Sequence, residues 1–141
     1  MATTADAIRP SQLRILVDDF TASFHFYESV LGLTAQEGQS AGPYACFKFA
    51  DGGTDIALFD RAAMTSAIGT TAADGSLPPR GSAEHLVLAF RVGDVDAAYA
   101  SAVAGGTPGV SEPADQAGWG MRVAHVRAPE GTLIEFCSWG G

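Results

Sequence analysis

Between residues 133 and 139 the chain alternates, with Leu133, Glu135 and Cys137 on one side and Ile134 and Phe136 on the other. That is the two-residue period of a strand with two unlike faces. The stretch 131–139, GTLIEFCSW, follows a Pro-Glu-Gly turn, and 53–59, GTDIALF, follows an Asp-Gly-Gly turn. Laid on each other, Gly53 meets Gly131, Thr54 meets Thr132, Ile56 meets Ile134 and Ala57 meets Glu135. A second match lies upstream, where Val17, Asp19, Phe20, Ala22 and Phe24 correspond to Val92, Asp94, Val95, Ala97 and Tyr99. The chain reads as two copies of one unit.

Each copy predicts a strand, a helix and three strands. In the first, 12–17 alternates, Asp18 and Asp19 supply a helix cap, and Phe20, Phe24, Tyr27 and Leu31 fall at helical spacing before Gly32. Strands are then expected at 34–37, 44–50 and 54–60, the last two as a hairpin, with a short helix over 61–68. In the second, a strand over 84–92 leads to an Asp94-capped helix through Ala104, closed by Gly105-Gly106. A short strand at 110–112 and a hairpin of 120–127 with 133–139 complete it. The resulting division is an N-terminal arm (1–10), a first module (11–69), a Gly/Pro/Ser linker (70–82) and a second module (83–141).

One strand parity carries the bulky apolar residues: Leu13, Ile15 and Val17, Ile56 and Leu58, Leu86, Leu88, Phe90 and Val92, then Ile134 and Phe136. That face is the expected core. The other parity mixes Gln12, Arg14, Leu16, Asp55, Ala57, Phe59, His85, Val87, Ala89, Arg91, Leu133, Glu135 and Cys137, and suits a wet groove.

Composition narrows the function. With 141 residues, 47% of them hydrophobic, the chain has the size of a soluble domain with a real core. A net charge of −8 argues against nucleic acid and is compatible with a neutral or cationic ligand. The start MATTADAIRP lacks the pattern of an export signal, and there is no apolar run of about 20 residues for a membrane span. A cytoplasmic protein is expected, with Cys46 and Cys137 as reduced, buried thiols.

Four pieces in order, ILVDDFTASFHFYESVLGL, FADGGTDIALF, EHLVLAFRVGDVDAAYA and WGMRVAHVRAPEGTLIEF, resemble the vicinal oxygen chelate superfamily of glyoxalases, bleomycin-resistance proteins and extradiol dioxygenases. The resemblance implies an α+β fold of two βαβββ modules whose curved mixed sheet encloses a cleft, and a homodimer. In metal-dependent members, four strands supply the ligands. The matching positions here are Gln12, Ala57, His85 and Glu135, and Ala57 has no donor atom. Members with three ligands resemble this chain more, and Gln12, His85 and Glu135 would then hold a divalent ion such as Zn, Mn, Fe, Ni or Co.

Two readings follow. In the first, the chain is a small-molecule-binding protein that sequesters an aromatic or cationic antibiotic, with Arg14, Phe59, Trp119 and Arg122 as ligand-binding residues. In the second, it is a divalent-metal enzyme of lyase, thiol-transferase or dioxygenase type, using Gln12, His85 and Glu135, with Glu135 as the catalytic residue. Glu135 is otherwise a polar residue hydrogen-bonded to Arg14 or Arg122, and His125 stands on a strand whose facing the sequence leaves open.

Overall fold

A computed structural model describes residues 12–49, 53–77, 86–118 and 120–139. The N-terminal arm, the Asp51-Gly52 turn, much of the linker, His85 and Trp119 lie outside the described residues. The chain divides into two compact units, each built on one four-stranded mixed sheet.

The first unit runs β1 (Gln12–Val17), α1 (Phe20–His25), β2 (Ala35–Gly38), β3 (Tyr44–Phe47), β4 (Asp55–Asp60) and α2 (Arg61–Ile68). Its strands lie in the order β1-β4-β3-β2, with β1 parallel to β4 and the other pairs antiparallel. The second unit repeats the plan with β5 (Val87–Arg91), α3 (Val95–Ala104), β6 (Gly109–Gln116), β7 (Met121–Arg127) and β8 (Leu133–Trp139). Its order is β5-β8-β7-β6, again with one parallel pair. Both units are therefore βαβββ modules.

Local chemistry sets the helix starts. Asp19, Asp60 and Asp94 each turn a carboxylate back onto a backbone N–H of the first turn, at Ala22, Ala63 and Ala97. That satisfies a donor the helix itself leaves unpaired. The first helix is shorter than its spacing predicts, because from Phe26 to Val30 the chain widens into a π-helical turn. The strand at 110–112 is longer than expected. It extends to eight residues as β6, which is mostly exposed and is held by pairing with β7 rather than by apolar burial.

The apolar parity forms the core except at Leu86, which is exposed. In the first unit Ile15, Val17, Leu58 and Phe47 are buried under Phe20, Phe24 and Tyr27 of the helical segment, with the Phe47 ring 5.7 Å from Phe24 and 6.1 Å from Tyr27. In the second, Leu88, Val126, Ile134 and Phe136 are buried beneath α3, which contributes Val95 and Ala102. Each large side chain so buried stabilises the fold by about 1.5–3 kcal/mol.

Candidate functional site

The sheet register lines up equivalent rows across the face opposite the helices. In the first unit Arg14, Ala57, Cys46 and Glu37 lie side by side on β1, β4, β3 and β2. In the second the corresponding row is Ala89, Glu135, His125 and Ser111 on β5, β8, β7 and β6. Ala57 and Glu135 hold the same place on the central strands of their sheets. One residue earlier on that face, Gln12 pairs with Asp55 and its counterpart Val87 pairs with Leu133.

On the first sheet the row is a polar and aromatic cluster. The side-chain oxygen of Gln12 accepts hydrogen bonds from Nε and Nη2 of Arg14, at 2.8 and 2.5 Å. Its NH2 group donates to the Tyr44 hydroxyl at 3.3 Å and lies 3.7 Å from the Cys46 sulfur. The Arg14 guanidinium stands 5.9 Å from the centre of the Phe59 ring, and Tyr44 and Phe59 meet at 6.4 Å with a tilt of 59°. Arg14 and Phe59 are thus brought together, and Gln12 fixes the arginine. The Gln12 amide draws the Tyr44 phenol down, but burial, the Cys46 thiol and the Glu37 carboxylate outweigh it and hold the phenol above its ordinary range.

On the second sheet Glu135 is bonded to His125 rather than to either arginine. His125 Nε2 is 3.0 Å from Glu135 Oε1, and His125 Nδ1 is 2.7 Å from the Ser111 hydroxyl. The strand facing left open by the sequence is thereby settled, since residues 121, 123, 125 and 127 of β7 pair with the odd residues of β8. Next along that face, burial pushes the Cys137 thiol up, the Glu135 carboxylate adds to this, and Arg91 partly offsets it. Arg91 itself stacks on Trp139, with Cζ 4.1 Å from the ring centre.

Arg122 lies on the opposite, helix-side face. Its Nε and Nη2 each bond the Asp96 carboxylate at 2.8 Å, and its Nη1 bonds Asp115 at 3.1 Å. It also borders a pocket of about 310 Å³ by the β6–β7 turn, lined by Asp115, Gln116, Ala117, Gly120, Met121, Arg122 and Ser138. Trp119 lies outside the described residues.

Two of the positions expected to hold a divalent ion already have partners, Gln12 bonding Arg14 and Glu135 bonding His125. The Gln12 oxygen already serves a guanidinium, so a metal there would displace one cation with another. Ala57 offers no donor, and the register counterpart of Gln12 is Val87, which offers none either. His85 lies outside the described residues, and among the described residues no group of three His, Cys, Asp or Glu side chains is placed to hold an ion. The Ser111–His125–Glu135 chain was not foreseen, because it depends on a register and on bulges in β6 that no local pattern encodes.

Comparison with known proteins follows the same lines. The sequence pattern of the Glyoxalase/Bleomycin resistance protein/Dioxygenase superfamily matches residues 9–136. YraH, an uncharacterized protein of Bacillus subtilis strain 168, is 36% identical over 124 residues, covering 88% of this chain and 93% of that one. A glyoxalase/bleomycin resistance protein/dioxygenase from Nocardioides superposes with a TM-score of 0.74 at 26% identity, over 95% of this chain and 86% of that one. A protein of unknown function from Agrobacterium tumefaciens strain C58 gives 0.70 at 27% identity, over 92% and 93%.

Proposed function

Because this chain belongs to the glyoxalase/bleomycin resistance protein/dioxygenase superfamily, we propose that it is a metal-independent small-molecule-binding protein of the sequestering kind. Its ligand docks on the first sheet at Arg14, Tyr44 and Phe59. The observation that supports this reading is the doubly bonded Arg14–Gln12 pair, which places a fixed organic cation beside two aromatic rings. A guanidinium held in one orientation recognises a carbonyl or carboxylate, and the rings stack on a planar body. The ligand class is therefore an aromatic compound bearing an oxygen acceptor. This narrows the aromatic-or-cationic expectation toward the aromatic arm, since Arg14 repels a cation.

A homodimer and a cytoplasmic location belong to the same proposal. Both cysteines are free and buried, as suits a reducing compartment, and among the described residues no helix is long and apolar enough to cross a membrane.

The test is a fluorescence titration of chelator-treated protein against a panel of aromatic acids and ketones, with metal content measured in parallel. Binding should survive the chelator and weaken about tenfold or more in Arg14→Ala, the usual weight of a hydrogen bond to a charged group. Binding that requires one divalent ion per chain, and that is lost in Glu135→Ala, would overturn the proposal in favour of the metal enzyme.

A further inference from the structure

We infer that the second sheet carries a serine nucleophile, Ser111, activated by His125 and Glu135, which takes acyl groups from small activated esters. The inference is independent of ligand binding on the first sheet. The three side chains form one hydrogen-bonded line across β6, β7 and β8, with links of 2.7 and 3.0 Å. Exposure grades along it in the order a nucleophile, base and acid require: Ser111 is exposed, while the His125 and Glu135 side chains are 16% and 12% exposed.

The proton positions follow from the partners. An ionised carboxylate only accepts, so the hydrogen of neutral His125 is on Nε2, directed to Glu135. Nδ1 then carries the lone pair and accepts from the Ser111 hydroxyl. This is the arrangement of a nucleophile bonded to a base that a third group orients.

The backbone supports it. The pairing of β6 with β7 shifts register on both sides of Ser111, between Gly109 and Ser111 and again between Ser111 and Ala114. Bulges of this kind re-aim a side chain. An exposed serine needs no such device for solubility.

In the reaction, Ser111 Oγ bonds to the acyl carbon of the ester as its proton passes to His125 Nδ1. The resulting adduct expels the alcohol, which takes that proton from His125. Water then attacks the acyl-serine, giving its proton to His125, and Ser111 recovers a proton as the carboxylic acid leaves. Glu135 holds the imidazole in place through Nε2 and is a positioning residue.

The whole chain should be incubated with p-nitrophenyl acetate or a fluorophosphonate probe and the adduct mapped by mass spectrometry. A single adduct at Ser111 is expected, absent in Ser111→Ala, with acylation slowed about 100-fold or more in His125→Gln, as loss of a general base implies. Glu135→Gln should lower the maximal acylation rate and leave half-saturation nearly unchanged. Because His125→Gln could disturb the sheet, Ser111→Cys is compared with the exposed control Ser101→Cys. The former thiol should be alkylated about tenfold faster, its thiolate being favoured by the neighbouring imidazole. No adduct, an adduct that persists in Ser111→Ala, or equal alkylation of the two cysteines would each overturn the inference.

Discussion

Gln12 and Arg14 lie on the same face of β1, and two donors of the arginine converge on the one side-chain oxygen of the glutamine. Gln12 therefore acts as a bracket for a charge. Gln12→Leu should leave the fold intact but free the guanidinium to rotate. Affinity for an aromatic acid should fall about fivefold to tenfold, the scale of losing one ordered long side chain. Titration of Gln12→Leu beside Arg14→Ala checks this: the first should lose less than the second, and equal losses would mean that Gln12 touches the ligand itself.

Gly38 ends β2 with φ +83°, and a Cβ there would overlap the Tyr44 backbone carbonyl. Gly38→Ala should cost about 1–3 kcal/mol for the left-handed backbone alone, with the overlap added. Since Tyr44 is displaced, ligand affinity should fall with stability. Urea unfolding alongside the fluorescence titration reads both.

Phe47 is fully buried and meets both Phe24 and Tyr27. Phe47→Ala should destabilise the first unit by about 3–5 kcal/mol, the usual cost of a large cavity in a packed core. A smaller loss in urea unfolding would mean that the helix collapses into the gap.

Arg122 holds the Asp96 carboxyl below the ordinary aspartate range. The folded value is then below the unfolded one. The stability contributed is complete above about pH 3.9, the ordinary value, and is lost as the pH falls through the folded value. Thermal unfolding should show wild type above Asp96→Asn at neutral pH, with the gap closing in acid. A gap that persists at low pH would assign the effect to packing.

Cys137 is shifted the other way, upward, chiefly by burial and then by Glu135. Above the ordinary thiol value of about 8.5 the unfolded chain ionises while the folded one resists. Stability should therefore fall as the pH rises from that value toward the folded one, and less steeply in Cys137→Ala. In native protein at neutral pH a thiol reagent should modify Cys137 slowly, and denaturant should release it.

Much of the fold was legible because its signals are local. Asp19 and Asp94 cap their helices as their sequence contexts imply, and the apolar parity of β1, β4 and β8, with Leu88 of β5, supplies the core. What failed depends on partners distant in sequence. β6 has no apolar alternation and exists because β7 offers it a ladder, so only three of its eight residues were expected. Arg122, three residues after Trp119, is turned by strand alternation toward Asp96 on α3, a pairing that no local pattern encodes. The position His85, counted back from Asp94, lies outside the described residues, and the described register sets Val87 opposite Leu133 as Gln12 is set opposite Asp55.

The second sheet has its keystone at β8, which pairs with β5 on one side and β7 on the other and follows both along the chain. During synthesis on the ribosome, β5 has no ladder neighbour until residues 133–139 emerge. A nascent chain stalled short of them presents two open strand edges, the kind that recruit other chains. Premature termination in the last turn should thus yield an aggregating product and a chaperone client, even though the first sheet is already complete.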